Sequence, residues 1–275
     1  MEDKIMKKRA VALVLAVLMM VMTFGFAGCN GSEKTDWAYI EDKGELIIGI
    51  TYFQPMNYKN ADDELVGFET EFAQAVCEKL GVTPKFQVID WDSKVQELNS
   101  KSIDVIWNGM TTLDNLKPQI DFSNPYMKNS QTAVIRKADA AKYTDLASMA
   151  GAKVVAEAGS AGEVAVKADA GLSKNYIPVK SQSTTFTEVK SKTADIAVVD
   201  AVTAAGTIGD GTSYSDLMIV DSISLGEPEE YAVGIRKGEA ETAEKINAAI
   251  KELYDDGTLD KLAEKYGLTG RIIAQ

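Results

Sequence analysis

From Glu45 onward, short apolar runs alternate with amphipathic stretches of helical period, and this alternation restricts the chain to the α/β class. ELIIGIT (45–51) is continuous, rich in β-branched residues and bounded by polar ones, the pattern of a strand buried on both faces. FETEFAQAVCEKL (68–80) sets Phe72, Ala73, Val76, Cys77 and Leu80 on one helical face. Its acidic start (Glu69, Glu71) and the following Gly81 suit the two ends of a helix, and Cys77 reads as a core residue. Strands are predicted at 85–90 and 104–109 with a helix over about 91–101 between them, an order that implies parallel pairing through crossovers. A second set of strands is expected at 131–137, 153–159, 175–180 and 195–200. The end is helical: Ile246, Ala249, Ile250 and Leu253 form one stripe, and Leu259, Leu262, Ala263 and Tyr266 another.

Composition removes several kinds of chemistry. The 275 residues include no histidine, so triads with a histidine base and zinc sites with a histidine ligand are excluded. The two cysteines, Cys29 and Cys77, form no CxxC pair, which excludes a thiolate metal cluster. No glycine-rich phosphate loop is present, and no metal or cofactor is expected. A formal net charge of −12 argues against nucleic acid, because phosphate binding needs clustered Lys and Arg.

The first residues read as a targeting signal. Lys7, Lys8 and Arg9 precede a run of 17 residues, 10–26, that ends in Ala27-Gly28-Cys29. A basic start, an apolar core and small residues before a cysteine resemble a bacterial lipoprotein leader, although Phe26 stands where leucine is usual. The resemblance implies cleavage after residue 28, lipid attachment at Cys29 and a position on the outer face of the cytoplasmic membrane. The competing reading is an uncleaved membrane helix, since 17 residues just reach across a bilayer. Cleavage would remove Lys4, Lys7, Lys8 and Arg9 against Glu2 and Asp3, deepening the net charge from −12 to −14. Residues 29–36, small and polar, read as a tether between lipid and fold.

Several segments share their order and spacing with one family. They are LIIGIT with Pro55 soon after, GFETEFAQAV (67–76), Trp91, Leu98, Asp104, NGMTT (108–112) and DFSNPY (121–126). AGSAGE (158–163), ADIAVVD (194–200) and DDGTLDKLAEKYG (255–267) complete the set. Together they resemble the polar-amino-acid solute-binding proteins of bacterial ABC transporters, relatives of the glutamine-binding and lysine/arginine/ornithine-binding proteins. The resemblance covers nearly the whole chain after the leader. It implies a two-lobed periplasmic-binding-protein-like fold with a two-strand hinge crossed at about 126–131 and 226–230. Lobe one would be residues 37–126 plus 230–275, and lobe two residues 131–225. Such a protein acts as a monomer that captures an amino acid or a similar small molecule outside the membrane and hands it to an ABC permease. A sensing role for a membrane receptor is the alternative. An exported dehydratase on the same fold is a third reading, which the lack of histidine and of an arginine at the expected place disfavours.

The resemblance also places a binding site. Asp200 falls where relatives hold the ligand's α-ammonium, at the C-terminal end of a strand, where α/β clefts open. Read alone, the same residue is a helix N-cap or a strand-ending aspartate. Ser160-Ala161-Gly162-Glu163 reads as a capping box, whose unpaired N–H groups also suit a carboxylate. Asn108, Gly109 and Thr111 match a loop that lines the cleft in relatives. Tyr52, Phe53 and Trp91 match its aromatic walls, and Thr51 matches a position often acidic. Leu116 stands where relatives carry the arginine that clamps the α-carboxylate, and Glu157 stands where the glutamine binders carry lysine. Three explanations are open: Lys117 reaches in from one residue later, the helix start at Ser160 holds the carboxylate alone, or the ligand lacks one.

Overall fold

The computed structural model describes residues 35–275. The leader and the lipid-attachment residue Cys29 lie outside the described residues, and no helix among those described is long and apolar enough to cross a membrane. The last two residues read as tether belong to the fold instead. Thr35 caps helix α1 (Asp36–Lys43) by accepting a hydrogen bond from the Ala38 N–H at 3.2 Å, and Asp36 is buried against Arg236.

Two five-stranded sheets organise the described residues, and β2 (Tyr58–Lys59) and β3 (Leu65–Val66) form a small antiparallel pair. In the first, β1 (Glu45–Ile50) pairs in parallel with β4 (Thr83–Val88) on one side and β5 (Val105–Ile106) on the other. Helix α2 (Phe68–Leu80) makes the crossover to β4, as the strand–helix–strand order predicts. The remaining strands break the expected parallel pattern. β12 (Gly234–Arg236) runs antiparallel to both β5 and β6 (Ile120–Phe122), because the chain re-enters this sheet only after building the second one. The expected helix at 91–101 is also divided, into a 3-10 turn at Trp91–Ser93 and helix α3 (Lys94–Asn99).

The second sheet has the order β11-β7-β10-β8-β9, formed by β7 (Met127–Arg136), β8 (Val154–Glu157), β9 (Tyr176–Val179), β10 (Ile196–Asp200) and β11 (Leu217–Tyr231). β8 is parallel to β9 and β10, whereas β7 is antiparallel to β10 and β11. The unbroken apolar run of β10 follows from burial on both faces. Ile196 and Val198 enter one apolar cluster, and Ala197 and Val199 the cluster on the opposite face. Helices α4 (Ala161–Ala168) and α5 (Gln182–Lys190) cover these faces, contributing Val166 and Phe186 respectively.

β7 and β11 join the two sheets. They pair from Arg136↔Leu217 to Met127↔Tyr231, with register shifts on the way, and Met127 and Tyr231 end inside the core of the first sheet. Both segments at which crossings were expected therefore lie in one paired ribbon. The C-terminal helices α7 (Ala240–Asp255) and α8 (Thr258–Lys265) return to that first core. Ile246, Ala249, Ile250 and Leu253 pack there with Leu259 and Ala263, against Phe72, Val76 and Cys77 of α2. Burial pushes the Cys77 thiol up to about 12, so this cysteine is an inert core group at neutral pH.

Candidate functional site

A narrow crevice opens between the sheets, at the carboxyl ends of β1, β5, β8 and β10. That is where strand-end loops of α/β sheets converge, since the helices cover the sheet faces. One wall carries Phe53, Trp91, Lys94, Met110, Thr111, Leu113 and Leu116; the facing wall carries Glu157, Ser160, Ala161, Gln182 and Asp200.

The loop after β5 is held from beneath. Asn108 Oδ1 accepts from the Thr51 N–H at 2.9 Å and from Thr51 Oγ1 at 2.6 Å, while its amide nitrogen donates back to Thr51 O at 2.9 Å. The Gly109 N–H donates to both oxygens of Glu69 at 2.9 Å. Gly109 has φ +53°, and a Cβ there would lie 2.9 Å from Phe53 Cζ, so the left-handed turn and the close ring both require glycine. Glu69 also accepts from the Tyr126 hydroxyl. Burial pushes its carboxyl up to about 7 despite those two donors.

On the facing wall, Ser160 is the N-cap of α4, accepting from the Glu163 N–H at 3.1 Å. The return bond of the capping box lands one residue early: Glu163 Oε2 accepts from Gly159 N–H at 2.9 Å. Asp200 occupies the N-cap position of helix α6 (Ala201–Thr207), but its side chain makes no capping bond. Instead Oδ1 accepts from Asn129 Nδ2 at 2.7 Å and Gln131 Nε2 at 2.6 Å, and Oδ2 accepts from Gln182 Nε2. The amides of Asn129 and Gln131 are shared with Glu229 Oε2, at 3.0 and 2.9 Å. Two carboxyl groups on different strands are thus bridged by donors from β7.

Acid dominates this electrostatic environment. Burial, reinforced by the neighbouring Asp200, pushes Glu157 up to about 8 and Glu229 up to about 7. Asp200 itself is raised by burial, against the pull of its three amide donors. Lys94 is the cationic side chain of the crevice wall. Its ammonium donates to Gly159 O at 2.7 Å across the crevice and to Trp91 O at 3.1 Å, and it lies 4.7 Å from the centre of the Trp91 ring. Burial lowers Lys94 to about 8, while Glu157, Asp92 and Glu163 oppose that shift.

Phe53, Trp91, Asn108, Gly109, Thr111, Leu116, Glu157, Ser160, Ala161 and Asp200 all lie on the crevice wall, where the sequence reading grouped them. Three residues are corrected. Lys117 is exposed and its ammonium pairs with Asp114 at 2.6 Å, so it does not reach the crevice. Tyr52 is 41% exposed and off the wall. Thr51 is buried behind the wall and acts through Asn108. Lys94, Gln182, Asn129, Gln131 and Glu229 escaped the sequence reading. For Lys94 a signal existed: it follows Trp91 by three residues, one turn along the same helical face.

A family profile described as bacterial extracellular solute-binding proteins, family 3, matches residues 46–269. The chain belongs to this family. Arginine-binding extracellular protein ArtP of Bacillus subtilis is 30% identical over 267 residues, covering 95% of this chain and 98% of ArtP. L-cystine-binding protein TcyJ of Escherichia coli K12 is 28% identical over 257 residues, with 92% and 94% covered. Among solved structures, an ancestral arginine-binding protein bound to arginine superposes with a TM-score of 0.75 at 35% identity, covering 81% of this chain and 98% of that one. This family 3 protein therefore has the two-lobed α/β fold of its relatives, with the crevice lying between the lobes.

Proposed function

We propose that this family 3 protein captures an amino acid outside the cytoplasmic membrane and delivers it to an ABC permease. The observation that carries the reading is Asp200, a buried carboxyl held by three amides on the crevice wall that also carries the N-terminus of α4. A zwitterion losing its water needs a carboxylate for its ammonium and N–H donors for its carboxylate, and these walls supply both. With Leu116 in the arginine position and Lys117 outside, the carboxylate partners are the first turn of α4, the Thr111 hydroxyl and Lys94. The names of the arginine- and cystine-binding relatives support an amino-acid ligand.

In this reading β7 and β11 are the hinge, lobe one is residues 37–126 plus 230–275, and lobe two residues 131–225. Gly206 of α6 meets Pro55 so closely that a Cβ would lie 2.6 Å from Pro55 Cδ, a contact suited to lobes that close on each other. The protein is a binder rather than an enzyme, works as a monomer and is anchored through lipid on Cys29. One observation favours a second reading: a buried carboxyl at about 8, Glu157, is the state a proton donor needs. An anionic substrate of a dehydratase would face Glu157, Asp200 and Glu229 with Lys94 alone to offset them, which disfavours that reading.

Native mass spectrometry of protein purified from cells should reveal a co-purifying amino acid, and that solute added back to stripped protein should shrink the radius of gyration in small-angle scattering. A tightly bound non-amino-acid, or an unchanged profile with saturating solute, would count against the reading. For the anchor, Cys29→Ala is expected to move the protein from the membrane fraction to the soluble one. Retention in membranes would mean that residues 10–26 stay in place as a span.

A further inference from the structure

Glu157 is left without a task by the amino-acid head group. It ends β8 and is 2% exposed, and its Oε1 is a buried oxygen with no hydrogen-bond partner. Such an acceptor costs folding free energy unless something completes it. Every charged neighbour is accounted for. Asp200 at the end of β10 has the same sign and is held by its amides. Lys94 at the start of α3 attracts Glu157, but its ammonium donates to Gly159 O and Trp91 O rather than to the carboxyl. Asp92 and Glu163 act on Lys94 from either side. The lining of the same crevice includes Trp91, Met110, Leu113 and Leu116, apolar and aromatic side chains suited to an alkyl chain.

Charge balance gives the same direction. An amino-acid head is neutral as a whole, so three acidic groups, Glu157, Asp200 and Glu229, still stand against one basic group, Lys94, and burial and repulsion still hold the glutamates towards their protonated form. A positive group at the ligand's far end corrects that imbalance and gives Glu157 Oε1 a donor.

We propose that Glu157 selects the far end of the solute by receiving a guanidinium or ammonium group, so that the captured amino acid is a basic one. This rests on the reading that the crevice holds an amino acid by its head on Asp200. The sign of the charge at residue 157 then decides the ligand class: a carboxylate here admits a cation and turns away glutamate and aspartate.

The test compares L-arginine with L-citrulline, which has the same shape but an uncharged end, by calorimetry on the solute-free full chain and on Glu157→Gln. Arginine, lysine or ornithine is expected to bind on the order of a hundredfold more tightly than citrulline. In Glu157→Gln that ratio should collapse to about threefold or less, chiefly through weaker binding of arginine. The ratio also has a pH signature. Glu157 must ionise to receive the cation, so arginine loses affinity relative to citrulline as pH falls from 8 to 6. Effects of Asp200 and Glu229 on the shared head group cancel in the ratio, and the protonation of Lys94 is common to both proteins. The steep part should therefore vanish in Glu157→Gln. Citrulline or glutamine binding as tightly as the basic amino acids, or an unchanged ratio in the variant, overturns the proposal while leaving amino-acid capture standing. Failure of every amino acid to bind would overturn both.

Discussion

Replacing Arg236 by leucine is expected to destabilise the protein by about 3–5 kcal/mol, because it removes the buried cation shared by two buried carboxylates and leaves Asp36 with the exposed Lys101 and Asp104 with Lys43. Arg236 lies on β12, in the first sheet. Its Nε donates to Asp36, its Nη2 reaches Asp104 at 3.5 Å, and its Nη1 donates to the carbonyls of Leu98 and Ile103 at 2.9 and 2.6 Å. Asp104 is shared with Lys43 at 2.5 Å and with the Ile47 N–H at 2.7 Å, so one cluster ties α1, β1, the turn after α3 and the returning strand β12 together. The pairing itself need not be strongly stabilising, since burying both charges costs much of what their attraction returns. Removing one partner is different, because the desolvated carboxylates remain. For a protein of this size that corresponds to a fall in Tm on the order of 10 °C, measurable by circular dichroism. Asp36→Asn combined with Arg236→Leu should recover part of the loss, since the amide no longer needs a cation. A single-variant loss below about 1 kcal/mol would show that water reaches the cluster and replaces the guanidinium.

Asp200→Asn is expected to separate binding from stability. The substitution keeps the shape but removes the charge that meets the ligand's ammonium. The expected loss is about 2–5 kcal/mol, or roughly thirty- to several-thousand-fold in Kd. Stability of the ligand-free protein should hold or rise, because Asp200 is the like-charged neighbour that pushes Glu157 and Glu229 upward. The pH dependence has a definite sign. Glu69, Glu157 and Glu229 are held at about 7, 8 and 7 in the fold. Above the ordinary glutamate range, the folded protein keeps protons that the unfolded chain has released, so stability falls as pH rises through the window up to about 8. The slope should be shallower in Asp200→Asn, where all three of those groups lose a repulsive neighbour. Calorimetry with the co-purified solute and urea melts at pH 5 and pH 8 check both halves. A binding loss under threefold would reduce Asp200 to a structural residue, held by Asn129, Gln131 and Gln182 for the sake of the fold.

The two effects act in different places. The ionic cluster around Arg236 is remote from solute and fixes how the chain returns to its first sheet. The carboxyls around Asp200 lie on or beside the ribbon that joins the lobes: Asn129 and Gln131 sit on β7, Glu229 on β11 and Asp200 at the end of β10. Ligand capture and the geometry of the ribbon therefore share the same amide donors. A cation that engages Asp200 would draw on the amides that also hold Glu229 of β11.

The sequence alone determined the elements and their class. Period-2 and period-3.6 patterns are local, so α2 and the stripes of α7 and α8 were legible residue by residue, down to the buried Cys77. Most of the crevice wall came from the resemblance to the family, while Asp200 was also pointed to by its place at the C-terminal end of a strand and Ser160 by the capping box. Pairing direction was legible where a helix links neighbouring strands, as for β1 and β4, but not for the strands added later. β12 and β6 are short, and whether a three-residue strand runs with or against its neighbour depends on where the chain has been in between. Contacts between lobes were equally hidden: Lys94 meets Gly159 across 65 positions, and Glu229 shares its donors with Asp200 only because β11 folds back along β7. Side-chain direction was decided last. Lys117 is adjacent in sequence to the crevice residue Leu116, yet it turns outward to Asp114, where a charged ammonium stays hydrated, while Leu116 packs inward with Met110 and Ile120. The types of residue at the strand ends were thus written in the sequence, but which of them face one another across the crevice was set by burial and by the path of the chain between the two sheets.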